Sequence, residues 1–241
     1  MQTQGMEMGK GLAWYGDGWT IFARNPGMWI VLMILLLVIA AVLNLVPLLG
    51  PLLLALLLPG LFGGALYAAR EAAEQREMDV SHLFIGFKDG TMRNALLVLG
   101  AVLLGANILF LFLALLLIGS GMGMAGLLHQ GEHEMLAAGL GMGMLLALLL
   151  LLLLGMMLSM VFLYAVPLVM FAAAEPVAAM KSSFSACLNN ILPLLLFGVI
   201  YVVLAMIAMI PLGLGLLVLL PVTFGALYAS YRDIYAVLAA Q

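Results

Sequence analysis

Residues 50–69 read GPLLLALLLPGLFGGALYAA, and the next two are Arg70 and Glu71. Twenty residues pass without a charge before the first cation. A helix of that length, rising 1.5 Å per residue, reaches about 30 Å, the thickness of a bilayer's hydrocarbon core. A strand of a membrane barrel would alternate apolar and polar residues, and LLLALLL does not. The stretch reads as a transmembrane helix, and the rest of the chain repeats it.

Composition agrees. The 241 residues are 67% hydrophobic and 8% charged, with a mean hydropathy of +1.29. Soluble domains are nearer half apolar and a quarter charged, so an all-α integral membrane fold is expected. Six spans are drawn, at 27–46, 50–69, 94–118, 140–166, 191–210 and 212–230, within one membrane domain covering 1–241. PLLGP joins the first pair and PLGLG the last, so both are tight hairpins. Pro167 is read as the exit from the fourth span, because proline lacks a backbone donor and disturbs the preceding turn. The chain then divides into an interfacial segment (1–26), hairpins at 27–69, 94–166 and 191–230, a loop at 70–93, an interfacial helix at 167–190 and a tail at 231–241. The second hairpin carries an outside loop at 119–139.

Orientation follows from the cations. Lys10, Arg24, Arg70, Arg76, Lys88, Arg93, Lys181 and Arg232 all fall on one side of the six spans. By the positive-inside rule both termini are cytosolic. The N-terminal MQTQGMEMGKGLAWYGDGW has no cationic stretch leading into a short apolar core and no small-residue cleavage site, so it reads as a retained cytosolic segment. Cys187 is the single cysteine, which excludes an internal disulfide. Trp14, Trp19, Tyr67 and Tyr228 are expected to anchor helices at the headgroups. Three stretches on the cytosolic side have apolar residues at helical spacing and read as interfacial helices. Their stripes are Leu12, Tyr15, Trp19 and Phe22; Val80, Leu83, Phe84 and Phe87; and Val177, Met180, Phe184 and Cys187.

Residues 221–233, PVTFGALYASYRD, echo residues 59–71, PGLFGGALYAARE. Asn25–Pro26 and NNILP at 189–193 open the spans that precede them. The unit is an interfacial helix followed by a hairpin, and the two copies point the same way, which makes a parallel internal repeat. Gly60, Gly64 and Ala68, like Gly225 and Ala229, stand four apart, and small faces of this kind let backbones approach in lipid.

Candidates for chemistry are few. No Asp, Glu, Lys, Arg or His falls inside the spans, which argues against ion- and proton-coupled carriers. Pro59 and Pro221, near the middle of corresponding spans, and Asn107, the deepest amide, are the candidate pathway for a small neutral or amphipathic solute. His129 and His133 with Met122 and Met124 are the candidate periplasmic copper site. GMGMAG at 121–126 lacks the strand a nucleotide loop needs, and HEMLA at 133–137 lacks the second histidine of a zinc protease helix. No acid–base pair, cofactor motif or nucleic-acid signature is present, and no enzyme is expected. The expectation is a non-enzymatic accessory or scaffold protein. Its partners would be the lipid bilayer and other membrane subunits or copies of itself.

GWTIFARNPGMWI (18–30), SHLFIGF (81–87), AMKSSFSACLNNILPLLLFG (179–198) and LPVTFGALYASYRDIY (220–235) resemble an uncharacterised family of bacterial six-helix inner-membrane proteins. More distantly, the plan is similar to the membrane domain fused to some glycerophosphodiester phosphodiesterases. The resemblance covers nearly all the chain except 119–139. It implies a six-helix inner-membrane fold and brings no catalytic or binding residues.

Overall fold

A computed structural model describes residues 5–47, 49–127 and 133–235, with side chains placed for all of these but 117–127, 133–144, 146 and 147. Among the described residues the fold is all-helical. The helices are α1 (Lys10–Arg24), α2 (Pro26–Asn44), α3 (Leu49–Ala73), α4 (Gly90–Leu127), α5 (His133–Leu163), α6 (Ala165–Ala172), α7 (Pro176–Asn189), α8 (Ile191–Met209) and α9 (Leu216–Ile234), with a 3₁₀ segment, Val80–Phe87, between α3 and α4. Five stretches are long and apolar enough to cross a membrane: Pro26–Asn44, Leu49–Ala73, Gly90–Leu116, Leu148–Ala172 and Ile191–Met209. The last turns of α9 hold Tyr228, Ser230, Tyr231, Arg232 and Asp233, and it is not among the five. At 38 and 31 residues, α4 and α5 run roughly 57 and 46 Å, longer than a single crossing needs.

Helix ends have local causes. Asn25 caps α2 by accepting the Met28 N–H at 3.2 Å, and Pro26 takes the first helical position, where its missing donor costs nothing. Asp79 starts the 3₁₀ segment, accepting the Ser81 N–H at 2.7 Å while its own N–H donates to His82 Nδ1 at 3.2 Å. Pro167 acts differently from the exit expected of it. Its ring conflicts with the carbonyl four residues back, at Leu163, and α5 stops there. The chain nevertheless continues in the bundle as α6, with Ala165–Met170 buried, and stops at Ala173 in the left-handed region (φ 48°).

Packing centres on α3. Half of its apolar window is buried, against 11 to 17% in the other four candidate spans, so those four turn mostly outward. Gly60 and Gly64 do bring a backbone close, but the partner is the 3₁₀ segment: a Cβ on Gly64 would lie 2.7 Å from Leu83 Cα, and one on Gly60 would strike the Phe87 ring. On its other side α3 meets α9, where Phe62 and Phe224 place their rings 5.2 Å apart. These two phenylalanines occupy the same place in the echoed strings, three residues after Pro59 and Pro221. Both prolines are buried inside their helices.

The closest partner of α1 is α9. A Cβ on Gly18 would lie 2.7 Å from Ala226 N, and one on Gly225 would lie 3.0 Å from Gly18 Cα. This contact divides the expected stripe of α1. Tyr15 and Phe22 are buried with Gly11, Trp14, Gly18 and Ile21, whereas Leu12 and Trp19 face outward. In α7 the buried face is Ala179, Ser183, Ala186 and Cys187, with Val177 outside; in the 3₁₀ segment it is Leu83 and Gly86, with Phe84 outside. Small residues make the contacts and part of each bulky stripe is left to the surroundings, the arrangement expected where lipid is the solvent.

Gly18→Ala is therefore expected to destabilise the protein by roughly 1–3 kcal/mol through overpacking. Gly16, two residues away on the other side of the helix with nothing within 4 Å of a Cβ, is the control. There alanine is expected to stabilise by up to about 1 kcal/mol through helix propensity. Thermal unfolding of both variants in one detergent tests the pair.

Candidate functional site

Polar side chains within the apolar layer bond their own helices. Asn44 donates to the Ala40 carbonyl at 2.7 Å, Asn107 to Leu103 at 2.8 Å, Ser159 to Gly155 at 2.8 Å and Thr223 to Leu219 at 2.8 Å. Each acceptor lies four residues back, so Asn44, Asn107 and Ser159 are satisfied without reaching a neighbouring helix, whereas Thr223 also engages Tyr15 of α1. Asn107 is exposed on α4, whereas Pro59 and Pro221 are buried with the α3–α9 contact between their helices. The structure thus joins the two proline-marked stretches and leaves Asn107 elsewhere. None of the three described pockets includes any of these three residues. His129 lies outside the described residues. Met122 and Met124 belong to α4 and His133 opens α5, with side chains outside those described. No group of three His, Cys, Asp or Glu occurs among the described residues in an arrangement that could hold a metal.

Interacting charge gathers instead where α3 ends. Arg24, the last residue of α1, donates through Nη1 to the carbonyls of Ala72 and Ala73 at 2.7 and 2.6 Å. A cation there satisfies carbonyls that the helix leaves open and complements its dipole. Past the end, Gln75 adopts φ 57°, and Arg76 turns back to grip both carboxylate oxygens of Glu71 at 2.6 Å. Glu71 is 6% exposed, and removing its fork would strand a buried charge. Glu74 joins Arg76 to Arg70, which is 3.0 Å away and stacks over the Phe171 ring at 5.5 Å. Across the same end, Asp233 accepts from Lys10 Nζ at 3.0 Å and from the Trp14 indole N–H at 3.1 Å.

A second network repairs the break at Pro167. In a continuous helix the Tyr164 N–H would donate to the Met160 carbonyl. Ser183 of α7 stands in that bond: its Oγ accepts from Tyr164 N at 2.9 Å and donates to Met160 O at 2.7 Å. Tyr164 OH continues the chain to Ser230 Oγ at 3.1 Å, and Ser230 donates to the Leu227 carbonyl at 2.8 Å. Beside it, burial pushes the Cys187 thiol up to about 12, away from any reactive thiolate.

The aromatic residues expected as anchors divide by burial. Trp14 is fully buried on Asp233, and Tyr228 packs on Phe171 with ring centroids 5.8 Å apart. Tyr67 is half-buried with its ring edge-on to His82, and Trp19 lines an apolar groove of about 510 Å³ between α8 and α9. Ala68 and Ala229 are buried. The roles of Arg24, Ser183 and Asp233 had no mark in the sequence, because each acts on a helix distant along the chain. Only the cationic last turn of α1 hinted at one of them.

No known protein family, curated protein or solved structure matches the chain.

Two predictions follow from these networks. Ser183→Ala leaves a buried N–H and carbonyl without partners and is expected to cost roughly 1–3 kcal/mol in thermal or denaturant unfolding, with Ser185→Ala, at an exposed position of the same helix, as the control. The second concerns acid. Burial raises the pKa of Glu74, but Arg70 and Arg76 outweigh it and hold the carboxyl below its ordinary 4.5. The lowered folded value means the stabilisation is full above the unfolded pKa and is lost as pH falls through the folded one. Wild-type protein is expected to lose more thermal stability than Glu74→Gln as the pH falls below about 4.5.

Proposed function

We propose that this chain is a six-helix bacterial inner-membrane protein with both termini in the cytosol, acting as a non-enzymatic accessory or scaffold for other membrane or envelope components. The observation that carries the reading is the self-satisfied state of the polar side chains in the apolar layer. Asn44, Asn107 and Ser159 each turn back on their own helix instead of converging on a shared path. The charged groups gather at the opposite extreme, on the end that the cation distribution assigns to the cytosol.

A sixth crossing is supported by the connection into α9. Only residues 210–215 separate it from α8, and a Cβ on Gly215 would lie 2.6 Å from Ala208 Cα, so α9 returns alongside a helix that qualifies as a span. The repeat is supported by matched positions and one ring contact, although, of Asn25 and Asn190, only Asn25 caps its helix through the side chain. Asn25 precedes α2 as Asn190 precedes α8, Pro59 and Pro221 lie inside α3 and α9, and Phe62 meets Phe224. Membership of the six-helix inner-membrane family rests on the quoted strings.

Affinity purification of the full chain in gentle detergent, with cross-linking before solubilisation, tests the role. The expected result is a reproducible set of membrane or envelope partners, or a defined oligomer. A monomer that captures nothing reproducibly, or solute flux through proteoliposomes, would overturn it.

A further inference from the structure

Between α1, the end of α3 and α9 lies a cleft of about 90 Å³ whose polar wall consists of Asp17, Thr20, Arg24, Tyr228 and Arg232. Three of the chain's eight cations have carboxylate partners among the described residues. Lys10 has Asp233, Arg70 has Glu74, and Arg76 has Glu71 and Glu74. Arg24 and Arg232 have no carboxylate within salt-bridge distance among the described residues, although Asp17 stands on the same wall. Arg24 spends Nη1 on the carbonyls of Ala72 and Ala73, and the rest of its fork has no hydrogen-bond partner among the described residues. Two guanidiniums sharing one small cleft repel each other, and no protein anion bridges them.

Tyr228 supplies an independent indication. Most of the residue is buried, but its hydroxyl keeps contact with solvent, has no hydrogen-bond partner among the described residues and lines this cleft. Donors therefore come from two elements, α1 through Arg24 and α9 through Tyr228 and Arg232, onto a space too small for a lipid tail. Guanidinium forks and a phenol arranged in this way match the several oxygens of a phosphate. Asp17 and the Thr20 oxygen add acceptors, which suit a phosphate ester carrying a hydroxyl or ammonium group. The cleft also lies where the apolar part of α9 gives way to its charged end, the level of lipid headgroups.

We propose that this cleft binds a phosphate group, held by Arg24, Arg232 and Tyr228. The group can come from a phospholipid headgroup or from free phosphate. The site does not depend on the chain having protein partners.

The test uses the full-length protein and two probes. Native mass spectrometry after release from nanodiscs of phosphatidylglycerol and phosphatidylethanolamine reads lipid retention; thermal shift with millimolar inorganic phosphate reads the free ion. If the source is lipid, wild type retains one phospholipid that Arg232→Gln loses about tenfold, the scale of one charge-assisted hydrogen bond. If the source is free phosphate, the ion raises the wild-type melting temperature and not that of Arg232→Gln. Tyr228→Phe, which removes only the hydroxyl, is expected to weaken the same signal and carries the test should Arg232→Gln fold poorly. Wild-type retention and phosphate response that survive unchanged in the folded variants would overturn the site.

Discussion

Where α1 crosses α9, Gly18 lies against Gly225 and backbone meets backbone. Much of the charged end follows from that contact. Lipid tails are as apolar as leucine, so burying leucine against leucine provides little force to hold helices together in a membrane. Close approach of small residues does, because it multiplies dispersion contacts. With α1 seated in this way, Lys10 and Trp14 reach Asp233, Trp19 turns into the groove beside α8, and Arg24 arrives at the carbonyls of α3. A side chain at Gly18 would shift all of these together.

The second constraint is the obligation to pair every backbone group away from water. Pro167 breaks that pairing, and a serine from α7 restores it by standing between a donor and an acceptor that belong to one helix. The end of α3 is treated in the same manner, by a guanidinium from α1 in place of water. Polar residues in this protein serve the backbone first. Trp29 departs from this, its buried indole N–H having no hydrogen-bond partner among the described residues.

Much of this architecture was legible from residue type and spacing. A charge-free run of twenty residues ending in arginine can do little else than cross a bilayer, and Asn25–Pro26 announces a helix start through chemistry confined to adjacent residues. The small faces at Gly60, Gly64 and Gly225 were legible as places of close approach. Their partners were not. Gly64 receives Leu83 of a 3₁₀ segment and Gly225 receives Gly18. Periodicity likewise marked the apolar stripe of α1 but not how it is shared, Tyr15 and Phe22 being buried in the protein and Leu12 and Trp19 turned outward.

The sequence by itself determined the solvent, the helical class, most of the span positions and the concentration of cations at one end, because these depend on runs of residues and on the length of a helix. Tertiary structure alone decided which small residues touch, how Pro167 is accommodated and which arginines lack acids. Those outcomes depend on distances between atoms far apart along the chain: 19 residues from Tyr164 to Ser183, 48 from Arg24 to Ala72. Local pattern carries no record of such distances, since they are set by how whole helices cross.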